Sequence, residues 1–167
     1  MNKRTSAVPV TVPRAELHGR SDFARDLLEE HGELWTRIAT WSMAPLLRPG
    51  DLVKLVPCSI RLFRGELVAI DDADRLLIHR VVGIRRDLVI AKGDALPWAD
   101  PARRRTALIG KVLEIRRRQK VRRRIATRWP SAFLGAYSLA VSRLGLPPSG
   151  TAWRLSRLPF YLLARFE

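Results

Sequence analysis

Arg75-Leu76-Leu77-Ile78-His79-Arg80-Val81-Val82-Gly83-Ile84 is the stretch on which the fold turns. It is rich in Ile, Leu and Val, and polar turn residues bound it: Asp71 to Asp74 before, Arg85-Arg86-Asp87 after. A β-branched run closed by turns at both ends reads as a strand. The same texture extends outward. Leu52 to Val56 follows the turn Pro49-Gly50-Asp51, and Glu66 to Ile70 follows Arg64-Gly65. Leu88 to Ala91 comes next, and Ala107 to Ile115 is apolar with Gly110 inside. Short runs at this spacing leave no room for crossover helices, so the strands are expected to pair mostly antiparallel. The expected fold class is mainly β: a small antiparallel unit with an N-terminal helix and a basic, helical C-terminal tail.

The flanks differ from this centre. Residues 1–14 read as a flexible arm. Over residues 15–40, Leu17, Phe23, Leu27, Leu28, Leu34, Trp35 and Ile38 recur at three- and four-residue intervals, which predicts helix. Ser21-Asp22 are candidate caps, and Gly32 is a candidate interruption. After Arg116 come Arg117-Arg118-Gln119-Lys120-Val121-Arg122-Arg123-Arg124, then two segments with aromatics among arginines, separated by Leu146-Pro147-Pro148-Ser149-Gly150. These read as two short helices, or one helix and a fragment. The expected division is therefore 1–38 (arm and helix), 39–116 (β-rich domain) and 117–167 (basic amphipathic segment).

Composition sets outer limits. The 167 residues include 31 Lys or Arg and 16 Asp or Glu, for a net charge of +15. Nearly half the residues are hydrophobic, enough for a core and against disorder. Residues 1–102 are almost balanced, so the positive field belongs to the C-terminal third and would attract phosphates. One cysteine, Cys58, excludes an internal disulfide, and the three histidines (His18, His31, His79) are too scattered for a structural zinc site. No metal and no organic cofactor is expected. The N-terminus lacks a secretory h-region and no apolar run reaches the length of a membrane span. A cytoplasmic or peripheral-membrane location is the expectation.

Three pieces carry candidate chemistry. They are Thr40-Trp41-Ser42-Met43-Ala44-Pro45, Ile78-His79-Arg80-Val81-Val82, and Lys92-Gly93-Asp94 with Asp100 beyond it. Their order offers a serine at a helix-to-strand junction, a histidine inside a strand, and aspartates in the loop after the next strand. Those are the parts of a nucleophile, a general base and a group that orients the base. A serine hydroxyl needs a base within about 2.6–3.2 Å. Imidazole suits the task because its ordinary pKa of about 6.5 is close to neutral. Of the histidines, His79 alone lies in the β-unit. Lys54 and Lys92 are alternative bases only if desolvated, and their strand and turn positions give no sign of that. Arg48, Arg80 and Lys111 read as solvated strand-edge or turn residues.

Taken together, these motifs resemble the type I signal peptidases and their relatives, the self-cleaving repressor peptidases. Ser42-Met43-Ala44-Pro45 with Pro49-Gly50-Asp51 is similar to their nucleophile box, and Arg64-Gly65-Glu66-Leu67-Val68 to the stretch that follows it. His79-Arg80-Val81-Val82 stands where the bacterial enzymes have a catalytic lysine, as in the archaeal, endoplasmic-reticulum and sporulation-type branch. Lys92-Gly93-Asp94, Asp100 and Ile109-Gly110-Lys111-Val112 also resemble that branch. The resemblance covers about residues 39–115. It implies Ser42 as nucleophile, His79 as base, Asp100 as the acidic member and Asp94 as a second site aspartate. It implies an oxyanion site from the Ser42 N–H with help from the Thr40 hydroxyl. Trp41 departs from the pattern, which has a small residue there. No span precedes the serine within residues 15–40, and the basic C-terminal third has no counterpart.

The expected function is a serine endopeptidase that cleaves a leader or signal peptide after small residues through an acyl-enzyme. The substrate would be an extended peptide or precursor protein added as a strand. The alternative is an inactive peptidase-like scaffold that docks through its basic tail. For that tail, Trp129, Phe133, Tyr137, Trp153, Phe160, Tyr161 and Phe166 among arginines suit an anionic membrane surface more than nucleic acid. A third possibility is that these segments pack on the β-unit and complete its core. The sequence is silent on oligomeric state.

Overall fold

The computed structural model describes residues 20–58, 61–73, 75–117, 120–124, 128–143 and 151–160. The expected arm over residues 1–14 and the Pro147-Pro148 break lie outside them.

The first helix, α1 (Arg20–His31), stops where Gly32 takes a positive φ of 71° and donates its N–H to Leu28 O at 2.9 Å. That is the left-handed turn that ends helices and that glycine adopts without strain. Ser21 and Asp22 sit in the first turn of α1. The expected helix over 15–40 is therefore too long. Leu34, Trp35, Thr36 and Arg37 form a strand, β1 (Leu34–Arg37), because they pair with β2 (Leu52–Val56). Tertiary pairing overrides the helical spacing there.

The remaining strands are β3 (Leu67–Asp72), β4 (Arg75–Arg85), β5 (Leu88–Lys92), β6 (Arg103–Arg104), β7 (Leu108–Arg117) and β8 (Lys120–Arg124). They build one eight-stranded sheet in the order β1-β2-β7-β3-β4-β5-β6, with β8 on β7. Every described pairing is antiparallel. The mainly β architecture expected from the sequence is thus present.

Burial explains the strand composition. Leu67, Val68, Ala69 and Ile70 are all buried, so β3 is covered on both faces. Leu67 and Ala69 join a core with Leu28 of α1, Met43, Leu47, Val53, Leu55 and Ile115. Val68 and Ile70 join a second core with Val81, Val89 and Ala91. Alternate residues of one strand serve opposite faces, as the pleat requires.

The C-terminal segment is part of this body. α2 (Arg128–Arg143) lies against β4, with Leu134, Ser138 and Val141 buried. A methyl group in place of hydrogen on Gly135 would stand 2.7 Å from the Gly65 amide nitrogen. Only glycine permits so close an approach of helix to turn. Beyond the short helix α3 (Thr151–Leu155), Phe160 is buried and meets Tyr137 with its ring tilted, and Tyr137 in turn stacks on Phe133. Among the described residues, then, α2 packs on the β-unit as the third possibility for the tail expected, without joining either core cluster, while Phe133 remains exposed. The sheet crosses both expected boundaries, since β1 lies before residue 39 and β8 after residue 116. No helix of the described residues is long and apolar enough to cross a membrane.

Candidate active site

His79 sits in the middle of β4, opposite Val68 of β3, and is 2% exposed. Its Nδ1 lies 2.6 Å from Asp100 Oδ2. Asp100 reaches it because the loop after β5 folds back: the Asp100 N–H donates to Ala91 O at 2.8 Å. The other ring nitrogen, Nε2, is buried and has no hydrogen-bond partner among the described residues. A buried polar atom without a partner costs free energy, so this one marks a place where something is missing or where a reacting group arrives.

Ser42 lies in the turn between β1 and β2. Its hydroxyl is 3.1 Å from Thr40 Oγ1. Its carbonyl oxygen accepts the Ala95 N–H at 2.8 Å, which joins the serine turn to the loop carrying Asp100. Gly93 is the point of closest approach. A methyl group on it would stand 2.7 Å from Ser42 O and 3.0 Å from His79 Nε2. The serine backbone and the unpartnered imidazole nitrogen therefore border the same α-carbon, and a side chain there would push them apart.

The serine turn is fixed from behind by a residue that sequence reading passed over. Arg117, at the end of β7, donates to Asp51 Oδ1 at 2.8 Å and Oδ2 at 2.7 Å, and to Leu46 O at 3.0 Å. Asp51 Oδ2 also accepts the Arg48 N–H at 2.9 Å. A bidentate arginine–carboxylate pair sets direction as well as distance. Arg117 had read as the start of a basic tail; its fork instead closes the segment that begins at Ser42.

Asp94 does not meet His79. It is held by Arg80, whose Nε and a terminal nitrogen donate to its two oxygens at 2.8 and 2.7 Å, while the other terminal nitrogen donates to Gly65 O at 2.9 Å. The two side chains are 2% and 0% exposed. This corrects the reading of Arg80 as a solvated residue; of the two aspartates offered as site residues, Asp100 meets the imidazole and Asp94 meets Arg80. Consecutive strand residues project to opposite faces, so His79 and Arg80 find different aspartates.

Lys92 is also corrected. It is 1% exposed and donates to Ser138 Oγ at 3.1 Å and Gly93 O at 3.3 Å. Burial lowers its pKa from 10.5 to about 8, with Asp94 opposing the shift and Arg80 adding to it. Arg80 and Lys92 are directly opposite on β4 and β5, a like-charge pair that Asp94 and Ser138 make tolerable. The desolvation that had no sign in the sequence comes from α2, a segment far along the chain. Lys54, by contrast, pairs with Glu33 at 2.7 Å. Lys111 is half-buried and meets Glu66 at 3.4 Å, while Arg48 is exposed. Burial and Glu66 push the Cys58 thiol above its ordinary value, so it is a thiol and a weak nucleophile at neutral pH.

Beside Ser42 an open cleft of about 290 Å³ is lined by Trp41, Ala44, Pro45, Arg48, Ala95 and Arg157. Arg157 comes from the C-terminal segment and donates to Ala44 O at 3.0 Å. Among the described residues no three His, Cys, Asp or Glu side chains converge as a metal-ligand set. Comparison of the chain with models of known protein families, with curated proteins and with solved structures returned no match in any of the three.

Proposed function

We propose that the protein is a serine endopeptidase of signal-peptidase type, using Ser42 as nucleophile and His79 as base. The single observation that carries this reading is the state of His79. One ring nitrogen is engaged by Asp100, and the other is buried, unpartnered and next to the serine turn. Bonding of Nδ1–H to a carboxylate leaves Nε2 as the lone-pair nitrogen, the tautomer a general base needs.

The Ser42 hydroxyl rests on Thr40, and the reaction requires a change of rotamer about its Cα–Cβ bond that brings it to His79. Such bonds are commonly loose until substrate arrives. His79 then takes the Ser42 proton as Oγ attacks the carbonyl carbon. The tetrahedral oxyanion is held by the Ser42 N–H, which has no hydrogen-bond partner among the described residues, and by the Thr40 hydroxyl released from Ser42. One such donor is worth about 2.7–4 kcal/mol. Collapse expels the amine, which takes the proton from His79. Water, deprotonated by the same imidazole, then frees the acyl group. The motif resemblance adds small residues before the cut and a substrate strand lying extended beside the serine turn.

The experiment is incubation with a diverse peptide library, read by mass spectrometry, for the wild-type chain, Ser42→Ala and His79→Ala. Cleavage at defined bonds is expected for the first and none for the others. Cleavage that survives both substitutions would overturn the assignment. Absence of cleavage by wild type would favour the alternative, a scaffold that keeps the geometry without the chemistry.

A further inference from the structure

The proposed chemistry gives no role to the buried cation at the end of β5. Lys92 stands directly opposite Arg80, and a second cation beside a buried guanidinium costs stability. A methionine would fill much the same space without that cost. The Lys92 ammonium instead joins two segments. It donates to Ser138 Oγ of α2 at 3.1 Å and to Gly93 O at 3.3 Å. Ser138 is 0% exposed and shares the buried face of α2 with Leu134, Gly135 and Val141. On the other side, Gly93 O also accepts the Leu96 N–H at 3.0 Å, and the Ala95 N–H reaches Ser42 O at 2.8 Å. The residue that Lys92 holds is thus the one whose α-carbon borders both Ser42 O and His79 Nε2.

We infer that Lys92 is a positioning residue of the active site: its ammonium, seated on Ser138 of α2, pins the Gly93 carbonyl and so fixes the gap across which Ser42 meets His79. The inference rests on the peptidase reading and brings into that site a helix to which the motifs assign no role. Lys92 itself lies on the Arg80 side of the sheet, the face opposite His79, and acts through Gly93 alone. The hold depends on the proton, because charge-assisted hydrogen bonds are about twice as strong as neutral ones. Burial lowers the Lys92 pKa to about 8; around it Asp94 and Asp100 favour the charged form, Arg80 and Arg157 oppose it, and α2 faces it with the uncharged Ser138. Position therefore loosens as pH rises through this value, although the folded chain itself gains stability there.

The test follows kcat and KM from pH 6 to pH 10 on the library peptide that the wild-type chain cuts fastest, for wild type, Lys92→Met and Ser138→Ala, all as the full chain. Wild-type kcat is expected to fall about fivefold on an alkaline limb with its midpoint near pH 8. Lys92→Met should lower kcat about tenfold with KM nearly unchanged, and should abolish that limb. Ser138→Ala takes one partner from the ammonium and should move the limb about one unit lower. Hydrogen exchange gives a second readout that needs no turnover. Protection of the Ala95 amide should drop about tenfold in Lys92→Met while the β3 amides keep theirs. A wild-type kcat that stays level above pH 8, or a limb that survives Lys92→Met unchanged, would overturn the inference and leave the peptidase reading standing. If wild type cleaves nothing, the peptidase reading falls, and Ala95 protection decides the latch: a drop keeps it, equal protection rejects it. Should Lys92→Met unfold, the displaced limb and weaker Ala95 protection in Ser138→Ala decide in its place.

Discussion

Two acid–base pairs stand on consecutive residues of β4 and have opposite characters. Arg80 and Asp94 are sealed, bidentate and supplied with a third bond to Gly65 O. His79 and Asp100 share a single contact, Asp100 is 16% exposed, and the far nitrogen of the ring has no partner among the described residues. The first pair has every strong donor and acceptor satisfied and can only hold the loop after β5 in place. The second keeps one site open at the point where Ser42 approaches. The difference teaches that a perturbed or charged residue near a candidate nucleophile is not thereby part of the chemistry. What sets the second pair apart is an unspent lone pair beside the serine turn.

The comparison can be broken from either side. On the open pair, Asp100→Asn should lower kcat for peptide cleavage by about 10⁴-fold, because the amide favours the wrong tautomer. Stability, read by urea denaturation, should fall by less than about 1 kcal/mol because Asp100 makes one partly exposed contact. On the sealed pair, Asp94→Ala should do the opposite. A buried guanidinium left without its carboxylate costs roughly 3–5 kcal/mol of stability, and cleavage per folded molecule should change far less. Equal losses of activity in the two variants would erase the distinction drawn between the pairs.

Lys92 sharpens the picture, since it adds a second cation beside Arg80. Its pKa in the folded chain, about 8, lies below the ordinary 10.5. Between these values the unfolded chain binds more protons, so stability rises with pH across that window and its cost is largest below about pH 8. The rise should be on the order of 1–3 kcal/mol. Denaturation midpoints at pH 7 and pH 10 should differ less in Lys92→Met than in wild type; the same pH dependence in both would reject Lys92 as the titrating group. A smaller effect belongs to Gly93→Ala, where the added methyl meets a backbone oxygen at 2.7 Å. The serine turn must shift, which should cost about 1–3 kcal/mol and lower kcat roughly tenfold or more while leaving the His79–Asp100 contact in place. Unchanged kcat would mean that the serine and histidine need not share this narrow gap.

Much of the framework was legible in the chain. Leu52–Val56, Leu88–Lys92 and the long run around His79 are strands because β-branched residues between turn signals have few other stable arrangements. β1 was not legible, since Leu34, Trp35 and Ile38 also satisfy a helical spacing and only pairing with β2 decides between the two. Within the site, Ser42, His79 and Asp100 could be proposed from residue type and order. Which aspartate meets the imidazole could not, as Asp94 and Asp100 share one loop and the choice depends on how that loop folds back on Ala91. The roles of Arg117, Ser138 and Arg157 had no local signal at all. Each looks like part of a basic or amphipathic tail until the chain returns to the serine turn or the back of β5.

By itself the sequence determined strand composition, turn positions and the stock of groups able to exchange a proton, because these follow from local backbone preference and from side-chain chemistry. Tertiary structure decided which charges are buried, which carboxylate each cation receives and which nitrogen is left open. Those depend on desolvation and on contacts between residues tens of positions apart, quantities that no local stretch of chain contains.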